Sequence, residues 1–138
     1  MTDAPLLAGP ILGWRLWHVR RGELLSWSQS AAWPARSRLE ATCRHLLRGC
    51  DGAPRSGHDC GIYALRTRQA AESLFRSVPR LRGAAAIGQV SLWGRVIENV
   101  GGWRAQFAYP YDLVLLGGDD ATAAELRRCY LVDVRREV

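Results

Sequence analysis

The distribution of apolar and polar positions predicts a fold built mostly from short strands. Bulky residues recur at every second position over Gly13–Val19 and Trp103–Tyr109, which is the spacing of strands with large side chains. Other short apolar segments predict further strands at Glu23–Trp27, Leu39–Cys43, Cys60–Leu65, Ala86–Val100, Asp112–Leu116 and Leu131–Arg135. We therefore expect about seven short strands in a curved, mainly antiparallel sheet or open barrel.

Glycine and proline positions predict where these strands turn, bend or end. The Arg21–Gly22 and Gly101–Gly102 steps are typical of hairpin turns, so the strands flanking each step are expected to pair antiparallel. Gly94 predicts a bend within the strand at Ala86–Val100. The Tyr109–Pro110 step is expected to end the second strand of the later hairpin.

Two segments carry the spacing of amphipathic helices. Thr67 is a candidate N-cap for a helix over about Arg68–Val78, whose apolar residues fall at three- and four-residue steps. Thr122 and Glu125 have the spacing of a capping box and predict a second helix that ends near Tyr130. With the strands, these helices indicate an α+β fold in a single domain over residues 1–138, in which residues 1–12 are loosely ordered.

The charge of the chain is positive and unevenly distributed. All 19 basic residues are arginine, and the formal net charge is +6. Residues 1–82 hold 13 arginines against 6 acidic residues, whereas residues 83–138 hold 6 against 7. This excess predicts either a solvated arginine-rich face or a surface for an acidic partner, a nucleic acid or a protein. The candidate partner-binding residues are Arg44, Arg48, Arg55, Arg68 and Arg76.

The apolar segments also indicate a compartment. None of them reaches the length of a membrane span, so we expect no membrane partner. The N-terminus lacks the positive start and uninterrupted apolar core of a signal peptide, which favours a cytoplasmic location. In a reducing cytoplasm, clustered cysteines favour a metal over disulfides.

Four side chains that can bind a metal fall close together at Cys43, Cys50, His58 and Cys60. Thiolates and imidazole are the ligands of tetrahedral zinc, and the glycines and proline between them predict an irregular chain that a bound ion would hold in place. Three thiolates and one imidazole would fill the coordination shell, which favours a structural ion over a catalytic one. If Cys50 points away, a neighbouring aspartate beside an open position would favour hydrolytic chemistry instead.

Several alternatives to this zinc site stay open. His45 has the same one-residue separation from a cysteine as His58 has, so it is a rival ligand. The cysteines could also be unligated core thiols beside a surface histidine. Cys50-Asp51-Gly52 followed by a histidine resembles the motif of the CDGSH-type proteins, which hold a 2Fe–2S cluster with three cysteines and one histidine. The chain departs from that motif because Pro54 intervenes and the histidine comes late.

Most of the chain resembles a family of small, largely uncharacterised actinobacterial proteins. The resemblance rests on the segments GWRLWHV, ATC, APRSGHDCGIYAL, VSLWGRVIENVGGWRAQFAYP and ELRRCYLVDV. The family pattern is a Cys followed by His-x-x-Pro-x-x-x-Cys-x-Cys-Gly-Ile-Tyr-Ala, in which Cys43, Pro54 and Cys60 match, as do the four residues after Cys60. His58 stands where the family has Cys, and Asp51 stands where it has His. The exchange preserves four ligands, which the resemblance implies would suit zinc better than a redox cluster.

These features lead to three hypotheses about function. The first is a zinc-stabilised, non-catalytic binding module whose arginine-rich face contacts an acidic partner. The second is a small-ligand protein or an enzyme with a pocket formed by Trp93, Arg95, Trp103 and Arg104. In a simpler interpretation these four residues belong to the hairpin core, and Glu98 forms a salt bridge with Arg104. The third is a redox or metal sensor in which oxidation of the thiolates releases the ion.

Overall fold

A computed structural model describes residues 2–3, 10–27, 31–43, 53–55, 57, 60–78 and 84–137. Within this part of the chain, eight strands form one mixed, mostly antiparallel sheet that is not a regular barrel, and two helices accompany it. The strands are β1 Thr2–Asp3, β2 Ile11–Arg20, β3 Glu23–Ser26, β4 Leu39–Glu40, β5 Ile62–Leu65, β6 Ala85–Glu98, β7 Gly102–Leu116 and β8 Asp133–Glu137. The helices are α1 Arg68–Ser77 and α2 Asp120–Tyr130. The predicted α+β class is confirmed.

The centre of the sheet is the long hairpin of β6 and β7. Its register runs from Ala85 opposite Leu116 to Glu98 opposite Trp103, with two register shifts. One shift follows Trp93 and contains Gly94, whose φ of 77° lies in the left-handed region that favours glycine, so the predicted bend is confirmed.

The predicted end of the second strand at Pro110 is wrong. β7 continues through Pro110 to Leu116, and a second register shift lies beside the proline. Val90 pairs with Pro110 and Gln89 with Asp112, so Tyr111 is the extra residue of a bulge. A proline is tolerated within a paired strand at such a bulge because the regular hydrogen-bond ladder is already interrupted there.

The free edge of β6 is covered by the N-terminal part of the chain. β2 pairs antiparallel with it from Ile11 opposite Leu92 to His18 opposite Ala85, and β1 pairs with its far end. β2 also forms the predicted hairpin with β3, and the turn residues Arg21 and Gly22 both have positive φ. Residues 4–9, between β1 and β2, lie outside the described residues.

The other edge of β7 is covered in three pieces. β5 and β4 pair antiparallel with its first half, and β8 pairs parallel with its last five residues. The predicted strand at Leu39–Cys43 is shorter than expected and covers only Leu39–Glu40. The predicted final strand begins at Asp133 rather than Leu131 and lies at an edge of the sheet. The sheet also curls enough for β2 to meet β5 at one position, Trp14 opposite Leu65.

The core has two parts because neighbouring residues of a strand point to opposite faces of the sheet. Trp17 belongs to the main cluster, which includes Leu126 and Tyr130 of α2. Leu16 belongs to a smaller cluster with Ala71 of α1. The two helices thus cover opposite faces of the sheet. Within the described residues, neither helix is long and apolar enough to span a membrane.

The two helices begin in different ways. Thr67 caps α1 as predicted, and its hydroxyl oxygen accepts a hydrogen bond from the Ala70 N–H at 3.1 Å. The predicted Thr122–Glu125 capping box is wrong, because α2 begins at Asp120. Its N-cap is Asp119, whose carboxylate accepts from the Thr122 hydroxyl at 2.7 Å and from the Thr122 N–H at 2.8 Å, and these two hydrogen bonds hold the pKa of Asp119 below its usual value.

Candidate functional site

The two short strands β4 and β5 lie end to end along one edge of β7. Leu39 and Glu40 pair with Ala108 and Phe107, and the Ala41 N–H donates to the Gln106 carbonyl oxygen at 2.8 Å. The next paired residue in the described part of the chain is Ile62, which pairs with Ala105, the next position of β7. Residues 42–61, called the excursion below, therefore start and finish at adjacent points of a single edge.

Two of the four predicted metal ligands stand at the start and finish of this excursion. Cys43 follows Ala41 by two residues, and Cys60 precedes Ile62 by two residues. Both cysteines are partly buried, and both line the same cleft. We call this pair the neck of the excursion. Sequence spacing alone does not indicate that the two ends of the excursion lie close together, because it is the register of β7 that brings Ala41 and Ile62 to adjacent positions.

The other predicted ligands, Cys50 and His58, lie outside the described residues, as does the rival ligand His45. Among the described residues, no group of three or more His, Cys, Asp and Glu side chains is placed to hold a metal ion. Because only two of the four predicted ligands are among the described residues, the zinc site stays a prediction.

A buried arginine forms a hydrogen bond with one residue of the neck. Arg104 of β7 has an exposed fraction of 4%, and its Nη1 donates to the carbonyl oxygen of Cys60 at 2.7 Å. Gly61, with a φ of 119°, lies between Arg104 and the buried Pro54, where an added Cβ would stand 2.8 Å from the proline Cβ. Only glycine allows this close approach, so part of the excursion packs directly against the neck.

A large cleft opens beside the neck. Its volume is about 840 Å³, and residues from several parts of the sheet meet in it, among them Arg15, Ser26, Trp33, Cys43, Cys60 and Trp103. Trp33 is buried and makes an edge-to-face contact with Trp17 at 5.4 Å between ring centroids. The cleft is thus continuous with the main core at Trp33.

Arg15 is a cationic side chain of this cleft, and no sequence motif predicted it as a site residue. Its guanidinium donates to the carbonyl oxygen of Tyr63 and to Ser26 Oγ, the latter at 3.1 Å, and lies 4.9 Å from the centroid of the Trp33 ring. In the described part of the chain no carboxylate forms an ion pair with it, and its Nε is buried without a hydrogen-bond acceptor. Burial lowers the pKa of Arg15 to about 10.

A signal for Arg15 was present in the strand pattern. Arg15 and Trp17 are two residues apart in β2, so they share one face, and that face is the one covered by the main core. A charged residue on the buried face of a strand indicates a functional or structural role, because most arginines stay at the surface.

The residues of the predicted pocket lie at separate places. Trp103 lines the Arg15 cleft, whereas Trp93 lines a smaller cleft of about 360 Å³ with Tyr109. Arg104 lies beneath the neck, and the backbone N–H of Arg95 donates to Gln106 Oε1.

The predicted Glu98–Arg104 salt bridge is wrong. Glu98 is exposed and pairs with Arg66 at 2.7 Å, whereas Arg104 is buried and faces Cys60. The same Arg66 lies 4.9 Å from the centroid of the Trp103 ring and donates to the carbonyl oxygen of Asn99 in the hairpin turn. Glu98 therefore stabilises the hairpin turn through Arg66, whereas the buried Arg104 donates to Cys60 of the neck.

The arginines of the predicted basic face differ in their surroundings. Arg44 and Arg48 lie outside the described residues. Arg55 and Arg76 are exposed, but Arg68 forms ion pairs with Glu137 at 2.7 Å and Glu72 at 3.7 Å, and the hydrogen bond to Glu137 raises its pKa. The charge of Arg68 is thus largely balanced within the protein.

Comparisons of this chain with protein-family models, with curated proteins and with solved structures found no match.

Proposed function

We propose that this protein is a zinc-stabilised, non-catalytic binding module with an arginine-rich face for an acidic partner. The observation that supports it most is the end-to-end arrangement of β4 and β5, with Cys43 and Cys60 at the two ends of the excursion. The zinc would be held by these two thiolates with Cys50 and His58, and it would fasten the excursion to the sheet.

An ordered excursion carries a cost in conformational entropy. Backbone order costs about 1–2 kcal/mol for each residue, so ordering a segment as long as residues 42–61 requires a compensating interaction. Within the described part of the excursion, Ala53 and Pro54 are buried, while Arg55 and Gly57 are exposed. A structural zinc ion supplies folding free energy directly, so two thiolates at the neck are well placed to restrict the excursion.

Elemental analysis with an absorption spectrum tests the metal. We expect about one zinc ion per chain and no visible absorption, because zinc has a filled d shell. A brown protein with iron and sulfide would replace zinc by the 2Fe–2S alternative. Protein purified from several media without any bound metal would contradict both.

Cysteine variants test the ligands, and the chain offers a matched control. Cys43→Ser and Cys60→Ser should each lose most of the bound zinc, because serine is a poor zinc ligand. Cys129→Ser should keep it, since Cys129 lies on α2 and packs against the main core. Equal zinc retention in all three variants would contradict the proposed ligand set.

The acidic partner is tested separately. Arg55 and Arg76 are exposed and have no carboxylate partner among the described residues, so they are available to a partner. Binding to single-stranded or double-stranded nucleic acid should weaken steeply with salt and should fall in the double variant R55E/R76E. The double variant R20E/R135E makes the same charge change elsewhere and serves as its control. No binding to DNA or RNA even at low salt would exclude the nucleic-acid version and leave a protein partner.

A further inference from the structure

Beyond that function, we propose that the cleft beside the neck binds an organic carboxylate with a flat apolar body, whose carboxylate group contacts Arg15. The proposal does not depend on zinc or on the arginine-rich face. It concerns a ligand of small-molecule size, and it rests on three properties of the cleft: its charge, its walls and its volume.

The cleft carries a positive charge at Arg15 that no described carboxylate balances. Arg15 uses two neutral oxygens as acceptors, the Tyr63 carbonyl and the Ser26 hydroxyl, and its Nε–H has no acceptor. A partly buried guanidinium without a counter-charge is unfavourable, because neutral acceptors replace only part of its hydration. With a pKa of about 10 it still carries its proton at neutral pH. An anion in the cleft would supply the counter-charge that no described side chain provides.

The same charge selects the class of anion. Among the described residues that line the cleft, Arg15 is the only cationic side chain, and the acidic Glu40 also lines it, 3.8 Å from Arg38 in an ion pair. A dianion such as a phosphate monoester would exceed the available positive charge and would repel Glu40. The planar fork of a guanidinium matches the geometry of a carboxylate, so a monocarboxylate fits best.

The walls and volume select the body of the ligand. The partly exposed Trp14, Trp27 and Trp103 line the cleft together with the apolar Leu39 and Leu65. Flat apolar ligands stack on such rings, and Trp33 already lies against the guanidinium. The volume of about 840 Å³ lies within the range of small-molecule sites. A flat aromatic body attached to one carboxylate would thus use both the rings and the charge.

Isothermal titration calorimetry of the purified protein with 2-naphthoate and 2-naphthamide tests the proposal. The two probes share one apolar body, and only the first carries a negative charge. We expect 2-naphthoate to bind at least about tenfold more tightly, because only the carboxylate offsets the charge of Arg15. Equal affinity for the two probes, or no binding of 2-naphthoate, would overturn the proposal.

A variant and its control locate the contact. Arg15→Gln should remove the preference for naphthoate over naphthamide, while Arg20→Gln, at an exposed position of the same strand, should keep it. Arg15→Gln that retains the full preference would show that the charge recognised lies elsewhere, for example at a metal in the neck, and would overturn the assignment.

The native protein provides a second measurement in case Arg15→Gln does not fold. Indole N–H resonances in a ¹⁵N correlation spectrum report on each tryptophan separately. Naphthoate should shift the resonances of Trp33 and Trp103, which line the cleft, and leave that of Trp93, which lines the smaller one. Shifts confined to Trp93 would place the ligand in the wrong cleft and overturn the proposal.

Discussion

The two edges of β7 are built in contrasting ways. One edge pairs with β6 along almost its entire length, and the two strands are joined by a short turn. The other edge is covered by β5, β4 and β8, three short strands that come from distant parts of the chain. The continuous edge is a local hairpin that needs little loop closure, whereas the divided edge must bring together segments far apart in sequence.

The chemically distinctive residues lie on the divided edge. The neck cysteines stand at the break between β4 and β5, and the Arg15 cleft lies between β5 and the curled end of β2. Loops occur where a sheet is interrupted. Binding residues are found disproportionately on loops that a rigid scaffold positions. The contrast therefore associates stability with one edge of β7 and function with the other.

Side-chain hydrogen bonds help to stabilise the divided edge, whereas the continuous edge is held by backbone pairing. The Tyr109 hydroxyl accepts from the Arg36 N–H and donates to the Tyr130 carbonyl oxygen, both at 2.8 Å. The Arg36 guanidinium donates to the Arg128 carbonyl oxygen at 2.9 Å. These bonds hold the chain that leads into β4 against the end of α2.

The largest predicted effect compares two leucines on opposite sides of one alanine. Ala108 of β7 has Leu92 of β6 on the continuous edge and Leu39 of β4 on the divided edge. Leu92→Ala should lower the free energy of unfolding by about 2–5 kcal/mol, because Leu92 is wholly buried and its removal leaves a cavity. Leu39→Ala should cost about 1 kcal/mol, because this side chain is only half-buried.

Denaturant titration of both variants at one pH measures the difference. The slope of free energy against denaturant concentration should stay constant, so that the midpoints can be compared directly. Equal losses in the two variants would contradict the assignment of stability to the continuous edge.

A smaller effect is predicted for Tyr130→Phe, which tests how far side-chain hydrogen bonds hold β3 and the chain that leads into β4. The Tyr130 hydroxyl accepts from the Leu24 N–H at 2.9 Å and donates to the Trp33 carbonyl oxygen at 2.8 Å. Without the hydroxyl both buried backbone groups lose a partner, so the free energy of unfolding should fall by about 1–3 kcal/mol.

The same tyrosine predicts a dependence on alkaline pH. Burial raises the pKa of Tyr130 above its ordinary value of 10.0, so the folded protein keeps the proton to a higher pH than the unfolded chain does. Its contribution is therefore fully present below pH 10.0 and is lost as the pH rises above it. Unfolding followed between about pH 9 and pH 11 should show a steeper loss in the native protein than in Tyr130→Phe. Parallel curves would contradict this assignment.

The sequence predicted the continuous edge better than the divided one, for a physical reason. Alternation at Trp103–Tyr109, the Gly101–Gly102 step and the bend at Gly94 are local signals, and the β6–β7 hairpin depends on local contacts. The error at Pro110 arose because a bulge, which depends on pairing with the neighbouring strand, keeps the proline within β7. The error at the start of α2 arose because Asp119, rather than Thr122, caps the helix.

The divided edge was harder to predict because its partners are distant in sequence. No local pattern shows that Ala41 and Ile62 occupy adjacent positions of β7, or that Arg104 lies under Cys60. The strand pattern places Arg15 on the same face as Trp17, but its hydrogen bond to Tyr63 joins residues that are distant in sequence. The predicted metal cluster used the one signal that is local, the clustering of cysteine and histidine.

The smallest net effect, and the sharpest test of the divided edge, is predicted for removal of the excursion. Deleting residues 42–61 joins Ala41 directly to Ile62, and the registers of β4 and β5 then continue without a slip. Deletion removes the acceptor that Cys60 offers to Arg104, at about 1–3 kcal/mol, but also removes a loop-closure cost of about 2–3 kcal/mol. The shortened chain should fold with a net change within about 2 kcal/mol.

A deletion that is one residue shorter is the matched control. Removing 43–61 leaves Thr42 between Ala41 and Ile62, which either adds a bulge or turns the side chains of β5 to the opposite face. Because Ile62 and Ala64 belong to the main core, this variant should be clearly less stable than the first. Cross-strand nuclear Overhauser effects from Ala41 to Gln106 and from Ile62 to Ala105 identify the continuous strand, and denaturant midpoints rank the two chains. If both deletions are equally stable, β4 and β5 are not in register, and the neck loses its geometric basis.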